Sequence, residues 1–220
     1  MPDWRATRNL AGLDQGNFRS ILGYAGESLV IGRALVAGYN LFFKAWRDSK
    51  YDAVLDHGGQ LFRIEIKQSG DGKQISCTSG GRSGQQISRE TASREVVLSP
   101  DDSEFLIGVH SMSGKCWIIP TEVVWLRKQA SISTGSLDLY LERWDIFTSF
   151  PASLSLEDLR VGFRKRDLET LMKISQDLGL DEEPQLYINF PPRTRRVLHR
   201  REDWYVLKIW EKIFQYGQTQ

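Results

Sequence analysis

Asp52, Glu65 and Lys67 have the residue types and the spacing for chemistry on a single β-hairpin. They lie in KYDAVLDHGGQLFRIEIKQSG, residues 50 to 70. Side chains alternate faces along a strand, so in LFRIEIK the residues Phe62, Ile64 and Ile66 serve a core while Arg63, Glu65 and Lys67 point the other way. With HGGQ as a four-residue loop, Asp56 falls opposite Leu61. Stepping back through the antiparallel ladder then puts Asp52 opposite Glu65 and Lys50 opposite Lys67. Opposed side chains have Cβ atoms roughly 4.5–5.5 Å apart, where like charges repel unless a cation lies between them. Carboxylate oxygens suit Mg²⁺, which keeps several waters and takes one or two protein carboxylates together with a substrate phosphate. Lys67 adds a fixed positive charge where a phosphate or an attacking hydroxide would sit. Asp56 and Arg63 fall toward the turn and read as supporting or solvated groups.

Ahead of the hairpin, NFRSILGYAGESLVIGRALVAGY has apolar residues at helical spacing and predicts a helix from Asp14 or Asn17 to Tyr39. Glu27 falls on its apolar stripe with Tyr24, Val30, Ile31 and Ala34. A carboxylate there calls for a metal or for a cation such as Arg63. Gly23 and Gly26 predict a close approach of this helix to the sheet. NLFFKAW, 40 to 46, reads as a strand, followed by the hairpin strands at 51 to 56 and 61 to 67. The Gly/Ser-rich residues 68 to 85 read as a loop, with Gln68 beginning it. Strands are expected at 104 to 110 and 115 to 120, and helices at 121 to 129, 154 to 162, 165 to 178 and 202 to 215. PQLYINFPP reads as an extended piece between the last two helices. The order is one helix, five strands and a mainly helical tail, an α/β (α+β) layered fold with a central mixed sheet.

This ordered set resembles the PD-(D/E)XK nuclease superfamily, in which a helix with a Glu precedes a hairpin with an Asp and a (D/E)XK tripeptide. GYAGESLVIGRALVAGYNLFFKAWRDSKYDAVLD supplies Glu27 and Asp52, and RIEIK supplies Glu65 and Lys67. The likeness is nearest to small homing endonucleases and Holliday-junction-resolvase-like members, and it spans roughly residues 16 to 125. The first motif is YD where the family pattern has PD. The resemblance implies a restriction-endonuclease-like core over 1–125 and a helical extension over 126–220. It further implies a Mg²⁺-dependent DNA endonuclease, with Mn²⁺ as a substitute, that leaves a 5′-phosphate and a 3′-hydroxyl. Asp52, Glu65 and the main-chain carbonyl of Ile66 would hold the ion, Glu27 would help directly or through water, and Lys67 would orient the attacking water. A rival reading keeps the fold as an inactive nucleic-acid-binding protein, which would have no need of opposed carboxylates.

DNA is a dense line of phosphates, so the candidate contacts are cationic. Lys73, Arg82, Arg89 and Arg94 flank the loop after the lysine, and Arg193, Arg195, Arg196, Arg200 and Arg201 belong to the run PRTRRVLHRRED. Two further basic clusters, RKQ at 127 to 129 and RVGFRKRD at 160 to 167, have solvated surface as their simpler reading. The net charge of +1 neither demands nor excludes a polyanion. His57, His110 and His199 are too scattered for a metal set. Cys77, in a polar loop, and Cys116, in a strand, read as reduced thiols of a cytoplasmic protein. No run of eighteen apolar residues suggests a membrane span. Five tryptophans, Trp117, Trp125, Trp144, Trp204 and Trp210, read as core or interface anchors. The stripe Trp204, Leu207, Trp210, Ile213 and Phe214 packs on the domain or on a second copy, and cutting both strands favours a homodimer.

Overall fold

The computed structural model describes residues 18–44, 49–79, 96–148, 154–180 and 200–216. Its centre is a mixed five-stranded sheet in the order β1-β2-β3-β7-β8, formed by β1 (Asn40–Phe43), β2 (Ala53–His57), β3 (Gln60–Ser69), β7 (Phe105–His110) and β8 (Cys116–Pro120). All neighbours are antiparallel except β3 and β7, which run parallel. Helix α1 (Phe18–Val36) precedes the sheet, and α2 (Thr121–Arg127), α3 (Leu156–Lys165), α4 (Leu168–Asp177) and α5 (Arg201–Tyr216) follow it. The layered α/β expectation therefore holds. None of the described helices is long and apolar enough to cross a membrane.

The hairpin forms where it was expected, on a tighter turn. Gly58 and Gly59 alone make the turn at φ 59° and 86°, values suited to glycine, and His57 pairs with Gln60. Asp56 is still opposite Leu61, so the expected register survives. Residues 68 to 85 are not all loop. β3 runs on to Ser69, and Gln68 is inside it. Then β4 (Gln74–Ser76) pairs with β9 (Ser131–Ser133), and β5 (Thr78–Ser79) with β6 (Val96–Val97). Two or three residues pairing with partners up to about sixty positions away leave no local pattern to read. Cys77, between β4 and β5, is fully buried and not in a polar loop, and burial pushes both cysteine thiols up to about 12.

The helical residues follow their local chemistry. Ser155 caps α3 by accepting from the Asp158 N–H, and Asp167 caps α4 by accepting from the Thr170 N–H. α5 buries Trp204, Leu207, Trp210, Ile213 and Phe214 as expected. Its Trp210 ring meets Phe105 of β7 edge-on at 5.8 Å, within an aromatic cluster that also holds Phe62 and Phe147. Trp117 and Trp144 are buried too, whereas Trp125 is half-buried. The PQLYINFPP segment lies outside the described residues.

α1 approaches the sheet through its small residues. A Cβ at Gly26 would come within 3.1 Å of the Gln68 Cβ and 3.4 Å of a Val109 methyl, so helix and sheet meet there. Val30 and Ala34 continue that face at 0% exposure. Tyr24 is 66% exposed and Gly23 has nothing within 4 Å, which corrects the expectation for both. The close approach expected at Gly26 is present, and only Tyr24 and Gly23, toward the start of α1, turn away from it.

Candidate functional site

β2 begins at Ala53, opposite Ile64, whereas β3 continues to Ser69 alongside β7. Residues 65 to 69 of β3 are thus paired with β7 on one edge and have left the β2 ladder on the other. Asp52 stands at this fork. Its N–H donates to the Ile64 carbonyl at 2.9 Å although Ala53 is already the partner of Ile64, so two successive residues face one, as in a β-bulge. The simple ladder pairing of Asp52 with Glu65 is corrected accordingly. The Asp52 carboxylate turns into the open edge, where Oδ2 accepts from the Ile66 N–H at 2.9 Å. The N–H and C=O of a strand residue project to the same edge, which directs the Ile66 carbonyl to this side as well.

The other charges gather around this point. Lys67 Nζ donates to Glu65 Oε1 at 2.5 Å, and Lys44 Nζ to Asp52 Oδ1 at 2.5 Å. Glu65 is 5% exposed and Asp52 9%. Burial pushes the Glu65 carboxyl up to about 7 against the pull of Lys67, and the Asp52 charge adds to the rise. Burial also raises the Glu27 carboxyl, with Asp52 adding and Lys44 and Lys67 opposing, so Glu27 belongs to the same electrostatic group. For Lys44 burial disfavours the charge, but the Asp52 hydrogen bond, with Asp52, Glu65 and Glu27 as neighbouring charges, outweighs it and leaves the ammonium above its ordinary pKa.

Lys44 is the residue that reading the hairpin missed. The signal was available in the next strand. β1 pairs with β2 from Asn40↔Asp56 to Phe43↔Ala53, and one further step places Lys44 opposite Asp52. The Lys44 N–H does donate to the Asp52 carbonyl, at 3.1 Å.

Several expected neighbours are elsewhere. Arg63 does not neutralise Glu27: its guanidinium holds Glu104 and the Asp101 carbonyl. Lys50 does not face Lys67 but pairs with Asp102 at 2.8 Å, with 74% of its side chain exposed. Gln68, in β3 beneath α1, donates through its amide to Ser111 Oγ in the turn after β7. His57 packs edge-on against Tyr39, and His110 Nδ1 lies 2.8 Å from Ser113 Oγ. Of the candidate DNA contacts, Lys73 and Arg200 are exposed and Arg201 opens α5. Arg82, Arg89, Arg94, Arg193, Arg195 and Arg196 lie outside the described residues, as does His199.

The donor set is hard oxygen throughout: two carboxylates and a main-chain carbonyl, with Glu27 behind them. Among the described residues, no three or more His, Cys, Asp or Glu side chains gather closely enough to hold a metal ion by themselves. A cation here would rest on Asp52, Glu65 and the Ile66 carbonyl, a donor number that suits Mg²⁺, which keeps several of its waters. A nearly buried carboxyl lifted to about 7 fits such a cation, because positive charge at that point favours its ionised form.

No family model matches the sequence, and no curated protein matches it. Among solved structures the chain is similar to a bacterial homing endonuclease, I-Ssp6803I, at 16% identity and a TM-score of 0.42, covering 52% of this chain and 76% of that one.

Proposed function

We propose that the protein is a metal-dependent DNA endonuclease hydrolysing phosphodiester bonds to a 5′-phosphate and a 3′-hydroxyl. The observation that carries this reading is the gathering of Glu27, Asp52, Glu65, Lys67 and Lys44 at the fork between β2 and β3. An ordinary surface hairpin has no need of two nearly buried carboxylates there, since burying charge is costly unless it is used or fully paired.

In this reading Asp52, Glu65 and the Ile66 carbonyl would hold Mg²⁺ or Mn²⁺, with Glu27 helping directly or through water. When bound, the ion supplies positive charge that acidifies water and offsets charge on the scissile phosphate. Lys67, released from Glu65, turns its ammonium to the attacking water and to the charge that develops on the phosphate. Lys44 pairs with Asp52 and orients its carboxylate, its backbone held by a bond to the same residue. Lys73 and Arg200, with the arginines of 82–94 and 193–201, would meet the DNA backbone, positioning the duplex without reading sequence. Homing, restriction and junction-resolving roles all use this chemistry, as would a two-fold dimer cutting both strands.

The test is cleavage of supercoiled, linear and four-way-junction DNA with Mg²⁺, Mn²⁺ or EDTA, beside Glu65→Ala and Lys67→Ala. Cation-dependent cutting that both variants abolish is the expected result. Cutting that persists in either variant removes the site assignment, and tight binding without cutting by the unmodified protein favours the binding-only reading.

A further inference from the structure

The two basic clusters left over from the sequence, 127 to 129 and 160 to 167, come together in the fold. α2 and α3 end beside each other at a cleft of about 210 Å³ lined by Trp125, Phe163, Arg164, Arg166, Pro100 and Asp101. The two helix ends repeat one arrangement. Each closes on a basic residue in the left-handed conformation that favours glycine, Lys128 at φ 50° and Arg166 at φ 57°. Each of these residues lays its cation over the aromatic ring three positions earlier, Lys128 over Trp125 and Arg166 over Phe163. Non-glycine residues held at positive φ concentrate where function requires them.

The charges of the cleft do not cancel. Arg166 pairs with Asp203 of α5, and Arg164 Nε lies 3.4 Å from Asp101 Oδ1. Asp101 is 73% exposed at its side chain, so that second pair is weak and open to exchange for a stronger anion. Lys128 is a third cation: burial and the charge of Arg166 hold its ammonium below the ordinary pKa against the pull of Asp203. Two arginines, one exposed acid and the half-buried Trp125 ring line a space too small for most cofactors, which matches one planar base with its phosphate. Aromatic stacking combined with arginine is how unpaired nucleotides are held.

We infer that this cleft binds a nucleotide, with the base against Trp125 and the phosphate at Arg164 and Arg166, and that its source is an unpaired stretch of nucleic acid. The loop forming one wall leads back to the carboxylate cluster. Arg63, two residues before Glu65, donates to the Asp101 carbonyl at 2.8 Å, and Lys50, two before Asp52, pairs with Asp102. A strand seated in the cleft is thereby next to the β2–β3 hairpin. The inference does not require the carboxylates to cut, and its test is binding alone.

Fluorescence anisotropy on the full chain in EDTA, with a labelled ten-residue thymidine strand and a duplex of equal length, reads it. Trp125→Leu and Arg164→Ala are each expected to weaken strand binding at least fivefold, and more than they weaken duplex binding. Arg164 is exposed, so its variant reports on the cleft even if Trp125→Leu unfolds. Thymidine monophosphate should displace the strand where inorganic phosphate at matched ionic strength does not. A strand held no more tightly than the monophosphate would make the free nucleotide the occupant. Unchanged strand affinity in Arg164→Ala, equal losses on strand and duplex, or equal displacement by phosphate and monophosphate would each overturn the inference.

Discussion

Two cations four residues apart on β3, Arg63 and Lys67, each stand beside a nearly buried glutamate, Glu104 and Glu65, and the two pairs solve the problem of its charge differently. At Arg63, Glu104 accepts from the backbone N–H at 2.6 Å, from Nε at 2.9 and 3.1 Å, and from Nη2, so both carboxylate oxygens are engaged. At Lys67, Glu65 meets the ammonium with no second donor among the described residues, and its carboxyl is pushed up to about 7. Fork-on-fork arginine geometry satisfies a carboxylate for its own sake. A point-charge lysine leaves one under electrostatic stress, the state that the proposed metal-binding role of Glu65 calls for.

That contrast breaks most sharply under substitution. Glu65→Gln is expected to lower DNA cleavage at least roughly a hundredfold, as loss of a charge-stabilising group does, while leaving the melting temperature in EDTA at pH 8 equal or higher. A variant that melts far lower would make Glu65 a structural carboxylate like Glu104. Glu104→Ala should reverse the pattern. Its cleavage rate should stay within a few-fold, but urea unfolding should show a loss of about 3 kcal/mol. That is the low end for a broken buried pair, because a third of the Arg63 side chain is exposed.

Next in size is the pH dependence of stability without divalent cation. The Glu65 pKa is raised from 4.5 to about 7 on folding. The unfolded chain therefore releases this proton first, and the contribution of the group is fully present below about 4.5. It is lost as pH rises through about 7, by about 2 kcal/mol after allowance for the coupling to Lys67. Denaturant midpoints between pH 4 and 8 measure the decline. Glu65→Gln should flatten this part of the profile, and Mg²⁺ should restore midpoint at pH 8 in the unmodified protein but not in the variant. The smallest effects sharpen the placement of α1. Gly23→Ala should stabilise by about 0.5–1 kcal/mol through helix propensity. Gly26→Ala should destabilise by about 1 kcal/mol as its Cβ meets Gln68. Equal thermal shifts in the two variants would place α1 differently.

Much of this was legible because the signals are local. Strand alternation located β2, β3, β7 and β8, and the glycine pair set the hairpin register that brings Asp52 near Glu65. Reading stopped short where geometry leaves the regular ladder. The bulge at Asp52 is written in no residue type, yet it turns a cross-strand pair into a carboxylate that caps the Ile66 N–H. Lys44 is invisible as a motif and appears only when β1 is placed in register with β2. On α1 the glycine spacing marks the approach at Gly26, but nothing in the pattern separates it from Gly23 or shows that Tyr24 faces outward. Arg63 looked available to Glu27 only because Glu104, forty-one positions on, has no local sign of being its partner.

The two-residue turn at Gly58 and Gly59 also sets the order in which these groups meet. A hairpin closes on the microsecond scale from contacts a few residues apart, whereas the parallel pairing of β3 with β7 must await the intervening chain. Asp52 and Glu65 are accordingly expected to be neighbours before the sheet that buries them exists, with desolvation of Glu65 coming as a late event in folding. Stopped-flow refolding would register it: Gly59→Val should slow folding, while Glu65→Gln should act mainly on the unfolding rate.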